Sequence, residues 1–81
     1  MATVILTFEL AKTIGDQVTL DVATVGELIS EGTTRWGAPF RAELESASIV
    51  VNGRNIHYLQ GRRTPLGDDD VVWIVKPASG G

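Results

Sequence analysis

The sequence predicts an α+β fold, a mixed β-sheet with one main helix packed across it. Three observations carry this expectation. Apolar residues recur with a period of two over "TVILTFEL" and "QVTLDV". The period lengthens to that of a helix over "TVGELISEGTTRWG". It then returns to strand-like runs in "SIVVNG" and "VVWIVK". One helix laid across a mixed sheet is the simplest way to bury both kinds of apolar face.

In the first stretch, Val4, Leu6, Phe8 and Leu10 fall on one side and Thr3, Ile5, Thr7 and Glu9 on the other, as in a half-buried strand. "AKTIGD" reads as a turn, and "QVTLDV" as a second strand with Val18, Leu20 and Val22 inward. Thr24 is the expected helix cap, with Glu27 three residues on completing a capping box. Val25, Leu28, Ile29 and Trp36 keep helical spacing, and Gly32 lies on the same stripe. A glycine inside a helix costs about 1 kcal/mol against alanine, so the helix is expected to stop or loosen there. "APFRAELES" reads as a second short helical turn seated by Phe40 and Leu44. "SIVVNG" is a strand running into an Asn52-Gly53 turn, "NIHYL" a further strand-like piece, and "QGRRTPLGDDD" a loop. "VVWIVK" is the last strand, and Pro77 ends it by removing a ladder donor.

The chain has 81 residues, 43% of them apolar, enough for one domain with a modest core. It contains no cysteine, which removes disulfides, thiolate metal sites and a cysteine nucleophile, and fits a reducing, cytoplasmic location. The start "MATVILTFEL" lacks the basic segment of a secretory signal, and Val71 to Val75 is too short to cross a membrane. With a net charge of −3, nucleic acid is a poor candidate partner.

Catalytic constellations are missing. The nine glycines form no phosphate-binding loop. His57, the only histidine, has no adjacent carboxylate in sequence, and a lone histidine on a strand is more often surface or packed than catalytic. Asp68 to Asp70 lack the alternating spacing of a calcium loop and read as solvated turn formers. Arg62 and Arg63 form a small basic spot, which is either a plain solvated turn or a contact for an acidic partner. No catalytic residue, metal ligand or bound cofactor is therefore expected.

The end of the chain is more specific. "TPLGDDDVVWIVKPASGG" resembles the C-terminal signature of the MoaD/ThiS family of ubiquitin-like sulfur carriers. Pro65 and Leu66 match its Pro-Leu pair, Asp68 and Asp70 its aspartate turn, Val72 its inward valine, Pro77 its second proline, and Gly80 and Gly81 its terminal pair. "VNGRNIHYLQG" is similar to the Asn-Gly hairpin of MoaD-like members, and "TFELAKTIG" to their first strand and turn. The longer middle, "WGAPFRAELESA", points the same way, towards MoaD, the small subunit of molybdopterin synthase. Two departures stand out. Asp69 occupies a turn position where glycine is usual, so a different or strained turn is expected. Lys76-Pro77 replaces a proline pair.

The resemblance implies a ubiquitin-like β-grasp domain over residues 1–76 and a flexible tail over 77–81. It implies a carrier rather than an enzyme. A partner adenylating enzyme of the MoeB/ThiF type uses ATP to activate the Gly81 carboxylate, sulfur replaces AMP, and the thiocarboxylate delivers sulfur to a synthase subunit. Gly80 and Gly81 suit a narrow site because no Cβ obstructs backbone approach. Lys76, Pro77, Ala78 and Ser79 would form the leash. Molybdopterin-type cofactor synthesis is the leading reading, with thiamine a variant. The alternatives are a protein modifier joined through Gly81 to lysines and a non-covalent binding module. If Val72 and Ile74 face the core, strand alternation turns Trp73 and Val75 outward, with Ile5 beside them, as a partner-binding surface. The other register would place Trp73 in the core.

Overall fold

The computed structural model describes residues 1–76. The expected tail, with Pro77, Ala78, Ser79, Gly80 and Gly81, lies outside the described residues.

Five strands form one sheet in the order β2-β1-β5-β3-β4. The strands are β1 (Ala2–Ile5), β2 (Gln17–Leu20), β3 (Ser48–Val51), β4 (Arg54–Asn55) and β5 (Val71–Val75). β1 pairs antiparallel with β2 and parallel with β5, and β5 pairs antiparallel with β3. The helices are α1 (Phe8–Ala11), α2 (Val25–Trp36) and α3 (Ala38–Glu45). Val4, Leu20, Ile49, Val51, Val72 and Ile74 of the sheet share one buried cluster with Val25, Leu28 and Ile29 of α2 and with Phe40 of α3. This is the β-grasp architecture: a mixed sheet with a main helix against its buried face.

Local chemistry explains where the main helix begins. Thr24 is extended, and its Oγ1 accepts the Glu27 N–H at 3.1 Å. The Glu27 carboxylate reaches back to the Ala23 N–H at 3.0 Å, one residue before the cap, so the capping box closes in a slightly widened form. The loop before β5 is stitched to the same end: the Val25 N–H donates to the Thr64 carbonyl, and the Leu66 N–H to the Ala23 carbonyl.

Three expectations need correction. The first strand ends at Ile5 rather than running to Leu10, and Phe8–Ala11 is helical. The cause is Thr7, whose hydroxyl accepts the Leu10 N–H and caps a new helix. Residues two apart share a strand face but lie about 200° apart around a helix, so Leu10 is buried while Phe8 is 77% exposed. Second, "NIHYL" is not a strand. β4 stops at Asn55, whose side-chain oxygen accepts the His57 N–H at 2.9 Å and starts a 3-10 turn over Ile56–Tyr58. Third, α2 does not stop at Gly32. It continues to Trp36, because Gly32 is the seat for the Phe40 ring: a Cβ there would lie 2.3 Å from a ring carbon. α2 ends instead at Gly37, whose φ of 74° favours glycine and redirects the chain into α3.

The β3–β4 turn follows its sequence signal. Asn52 and Gly53 both have positive φ, 51° and 87°, the signature of a type I′ hairpin. The turn containing Asp69 carries no such strain, because Asn52 is the only non-glycine with positive φ among the described residues.

Candidate functional site

The site is organised by β5, which is hydrogen-bonded on both sides. Val72 and Ile74 are fully buried, so strand alternation sends Trp73 and Val75 to the opposite face, 45% and 36% exposed. Ile5 is the parallel register partner of Trp73 and is half-buried beside it. A large indole kept half in water on a central strand is unusual for a small soluble domain and reads as a contact surface.

Phe8, expected in the core, belongs to this surface. It lines a groove of 330 Å³ with Leu6, Thr7, Trp73, Val75 and Lys76. The Lys12 ammonium sits 4.8 Å from the Phe8 ring centre. Period-two reading could not find Phe8 here. The signal was Thr7, a good cap followed by a helical Leu10, which competes with simple alternation.

At the rim of the groove, Glu43 of α3 fastens the end of β5. Its Oε1 accepts from the Lys76 ammonium at 2.8 Å, and its Oε2 accepts the Thr7 hydroxyl at 2.7 Å. The Glu43 side chain is only 10% exposed. The Lys76 ammonium, and after it the Thr7 hydroxyl, hold the Glu43 carboxyl below the usual glutamate range. Lys76, expected to begin the free leash, is therefore tied to the body of the domain. The pairing joins residues 33 positions apart (76 − 43), and no local pattern announces it.

The aspartate turn has an internal task. Asp70 accepts from the Asn52 amide at 2.8 Å and from the Gly67 N–H at 2.7 Å, and these two bonds lower its carboxyl pKa. Asn52 in turn accepts the Val71 N–H at 3.0 Å. The turn thereby locks the β3–β4 hairpin to the start of β5. Asp68 meets the N-terminal ammonium of Met1. Among the described residues, no three His, Cys, Asp or Glu side chains converge as metal ligands. His57 is exposed on its 3-10 turn, away from the residues that line the Trp73 groove. Among the described residues no helix is long and apolar enough to cross a membrane.

A sequence model of the ThiS family matches residues 4–81. The chain belongs to the ThiS family. The match runs through both glycines of the Gly80-Gly81 pair and takes in every element described above except the first two residues of β1. The fold of the ThiS-family chain is similar to that in the crystal structure of the Amycolatopsis orientalis BexX/CysO complex, with a TM-score of 0.83, 26% identity, and 100% of each chain covered. It is similar to small archaeal modifier protein 1 of Methanosarcina acetivorans, with a TM-score of 0.82, 28% identity, and 99% and 95% of the two chains covered. A chain in the complex of subunits 1 and 2 of the molybdopterin-converting factor of Helicobacter pylori shares the fold at a TM-score of 0.70, 22% identity, and 99% and 97% coverage. No curated protein matches the chain.

Proposed function

We propose that this ThiS-family protein is a sulfur carrier that works through the carboxylate of Gly81. The observation that carries the reading is the family match extending to Gly81, downstream of a central strand whose outward face is apolar. A partner enzyme of the MoeB/ThiF type transfers AMP from ATP to the carboxylate, releasing pyrophosphate. A sulfide-level nucleophile then attacks the acyl carbon and expels AMP, leaving a thiocarboxylate. That sulfur is anionic and nucleophilic, and it passes to a synthase subunit. Trp73, Val75, Ile5 and Phe8 form the docking face for the adenylating partner, and Lys76, held by Glu43, fixes where the tail departs. No side chain of the carrier enters the chemistry; the partners supply the catalytic groups and use the ATP. The "WGAPFRAELESA" segment and the "NGRNI" hairpin favour a molybdopterin-type, MoaD-like assignment over the shorter thiamine carriers.

A second reading has its own support. The chain is 28% identical to small archaeal modifier protein 1 of Methanosarcina acetivorans, so conjugation of Gly81 to lysines is the competing outcome. One experiment separates them. The protein is incubated with an adenylating enzyme from the same genome, ATP and sulfide, and its intact mass is read. A gain of one sulfur for one oxygen supports the carrier. Recovery from cells only in isopeptide linkage to lysine supports the modifier. If adding a residue after Gly81 leaves function unchanged, both readings fail.

A further inference from the structure

The chain carries seven Lys and Arg residues against ten Asp and Glu. Three of the seven are in ion pairs: Lys12 with Glu9, Arg35 with Glu31, and Lys76 with Glu43. The other four, Arg41, Arg54, Arg62 and Arg63, have no ion-pair partner among the described residues. They come from α3, β4 and the 3-10 turn over Gly61–Arg63. Two of them flank one concave feature.

That feature is a cleft of 180 Å³ between α2, α3, β3 and the turn after β4. Its floor is aliphatic: Ile29 and Ile49 are 8% and 7% exposed, with Leu44 and Ile56 half-buried against them. The exposed residues Arg41, Arg62, His57 and a single acidic residue, Glu45, also line it. The volume is below the roughly 300 Å³ at which small-molecule sites begin, so a cofactor does not fit. It suits one aliphatic side chain. Because β4 is only two residues long, Ser48 and Ile49 at the start of β3 are left without strand partners on that side and line the same cleft.

We propose that this cleft docks an acidic partner segment anchored by one aliphatic side chain, separately from the Trp73 face. The anchor enters between Ile29 and Ile49. Carboxylates on either side of it meet Arg41 and Arg62, where planar guanidinium groups bind carboxylates through paired hydrogen bonds. The charge arrangement selects an acidic peptide, and the apolar floor favours a peptide over a bare anion. None of the groove residues at Trp73 line the cleft, so a carrier docked through its sheet face keeps the cleft open.

The test uses the full chain, isotopically labelled, titrated with a capped pentapeptide of one leucine flanked by pairs of glutamates. Amide and methyl shifts at Ile29, Ile49 and Ile56 are expected to move in a saturable, salt-sensitive way. The Arg41→Gln/Arg62→Gln double variant should weaken the effect at least tenfold, while Arg35→Gln, which removes a paired cation, should not. Both sites are exposed, and an unchanged thermal midpoint verifies the fold. A glutamine-for-glutamate peptide should not bind. The proposal is overturned if millimolar peptide leaves the cleft shifts unmoved, if the double variant responds like the parent, or if the shifts map to Trp73. Inorganic phosphate or a single-stranded oligonucleotide producing the same shifts more tightly than the peptide would also overturn it.

Discussion

Replacing Gly32 with alanine should destabilise the domain, against the helix-propensity rule. Propensity alone predicts a gain of about 1 kcal/mol in the middle of α2. The geometry opposes it: the new Cβ would lie 2.3, 2.4 and 3.0 Å from three carbons of the Phe40 ring. That ring cannot simply step aside. Phe40 is 1% exposed, and Trp36 packs against it with centroids 5.3 Å apart at a tilt of 46°. Overpacking of a closed core costs typically 1–3 kcal/mol, and contacts of 2.3 and 2.4 Å put this case in the upper part of that range, at about 2–3 kcal/mol; less the propensity gain of about 1 kcal/mol, the net expectation is a loss of about 1–2 kcal/mol. For a domain of this size that is a fall of roughly 5–15 °C in the unfolding midpoint. Thermal and urea unfolding followed by circular dichroism would read it. Phe40→Leu in the Gly32→Ala background should recover part of the loss, as a coupling of about 1 kcal/mol in a double-mutant cycle. A Gly32→Ala protein as stable as the parent, or more so, would refute the packing argument and leave Gly32 as an ordinary weak point in a helix.

Trp73→Ala should leave the domain folded, with a stability loss of about 1 kcal/mol or less, yet weaken binding to the adenylating partner by tenfold or more, as expected for an aromatic interface anchor; calorimetric titration and a thermal melt test the two halves, and an unfolded variant would place Trp73 in the core. Thr24→Ala should cost about 1 kcal/mol by removing the cap of α2, read in urea unfolding. The Glu43 pKa is lowered in the folded state, so its contribution to stability is present above the ordinary glutamate value of about 4.3 and is lost as pH falls through the lowered value. Glu43→Gln should therefore be less stable than the parent at neutral pH, with the gap narrowing on acidification below about pH 4; a gap that is constant with pH would show that the ion pair to Lys76 contributes nothing.

What could be read from the sequence was whatever depends on near neighbours. Parity along "VVWIV" grouped Val72 with Ile74 and Trp73 with Val75, the resemblance of Val72 to the family's inward valine chose the first pair as the inner one, and Thr24 with Glu27 located the start of the main helix. The failures lie where two local rules compete. Alternation through Phe8 lost to the Thr7 cap, and the strand pattern of "NIHYL" lost to the Asn55 side chain. Gly32 looked like a helix defect because its reason, the Phe40 ring, comes from the next helix. The Glu43–Lys76–Thr7 contact and the gathering of unpaired arginines around one cleft exist only after folding, since both join segments that are distant in the chain.

The parallel pairing of β1 with β5 has a consequence for how the chain reaches its fold. Thr3 lies opposite Val71, so the sheet's central contact closes a loop of 68 positions (71 − 3). The strand that joins β1 to β3 is also the last of the described strands to be synthesised. Until it arrives, the β1–β2 hairpin and the β3–β4 hairpin have no shared edge, and the apolar stripe of α2 has only half its seat. Long-range closure of this kind slows folding, because chain entropy is lost before the contacts that repay it form. The nascent chain therefore spends its synthesis with exposed strand edges, and assembly is completed by the segment leading to Gly81. A chain interrupted before β5 would have neither a finished sheet nor the Gly80-Gly81 end.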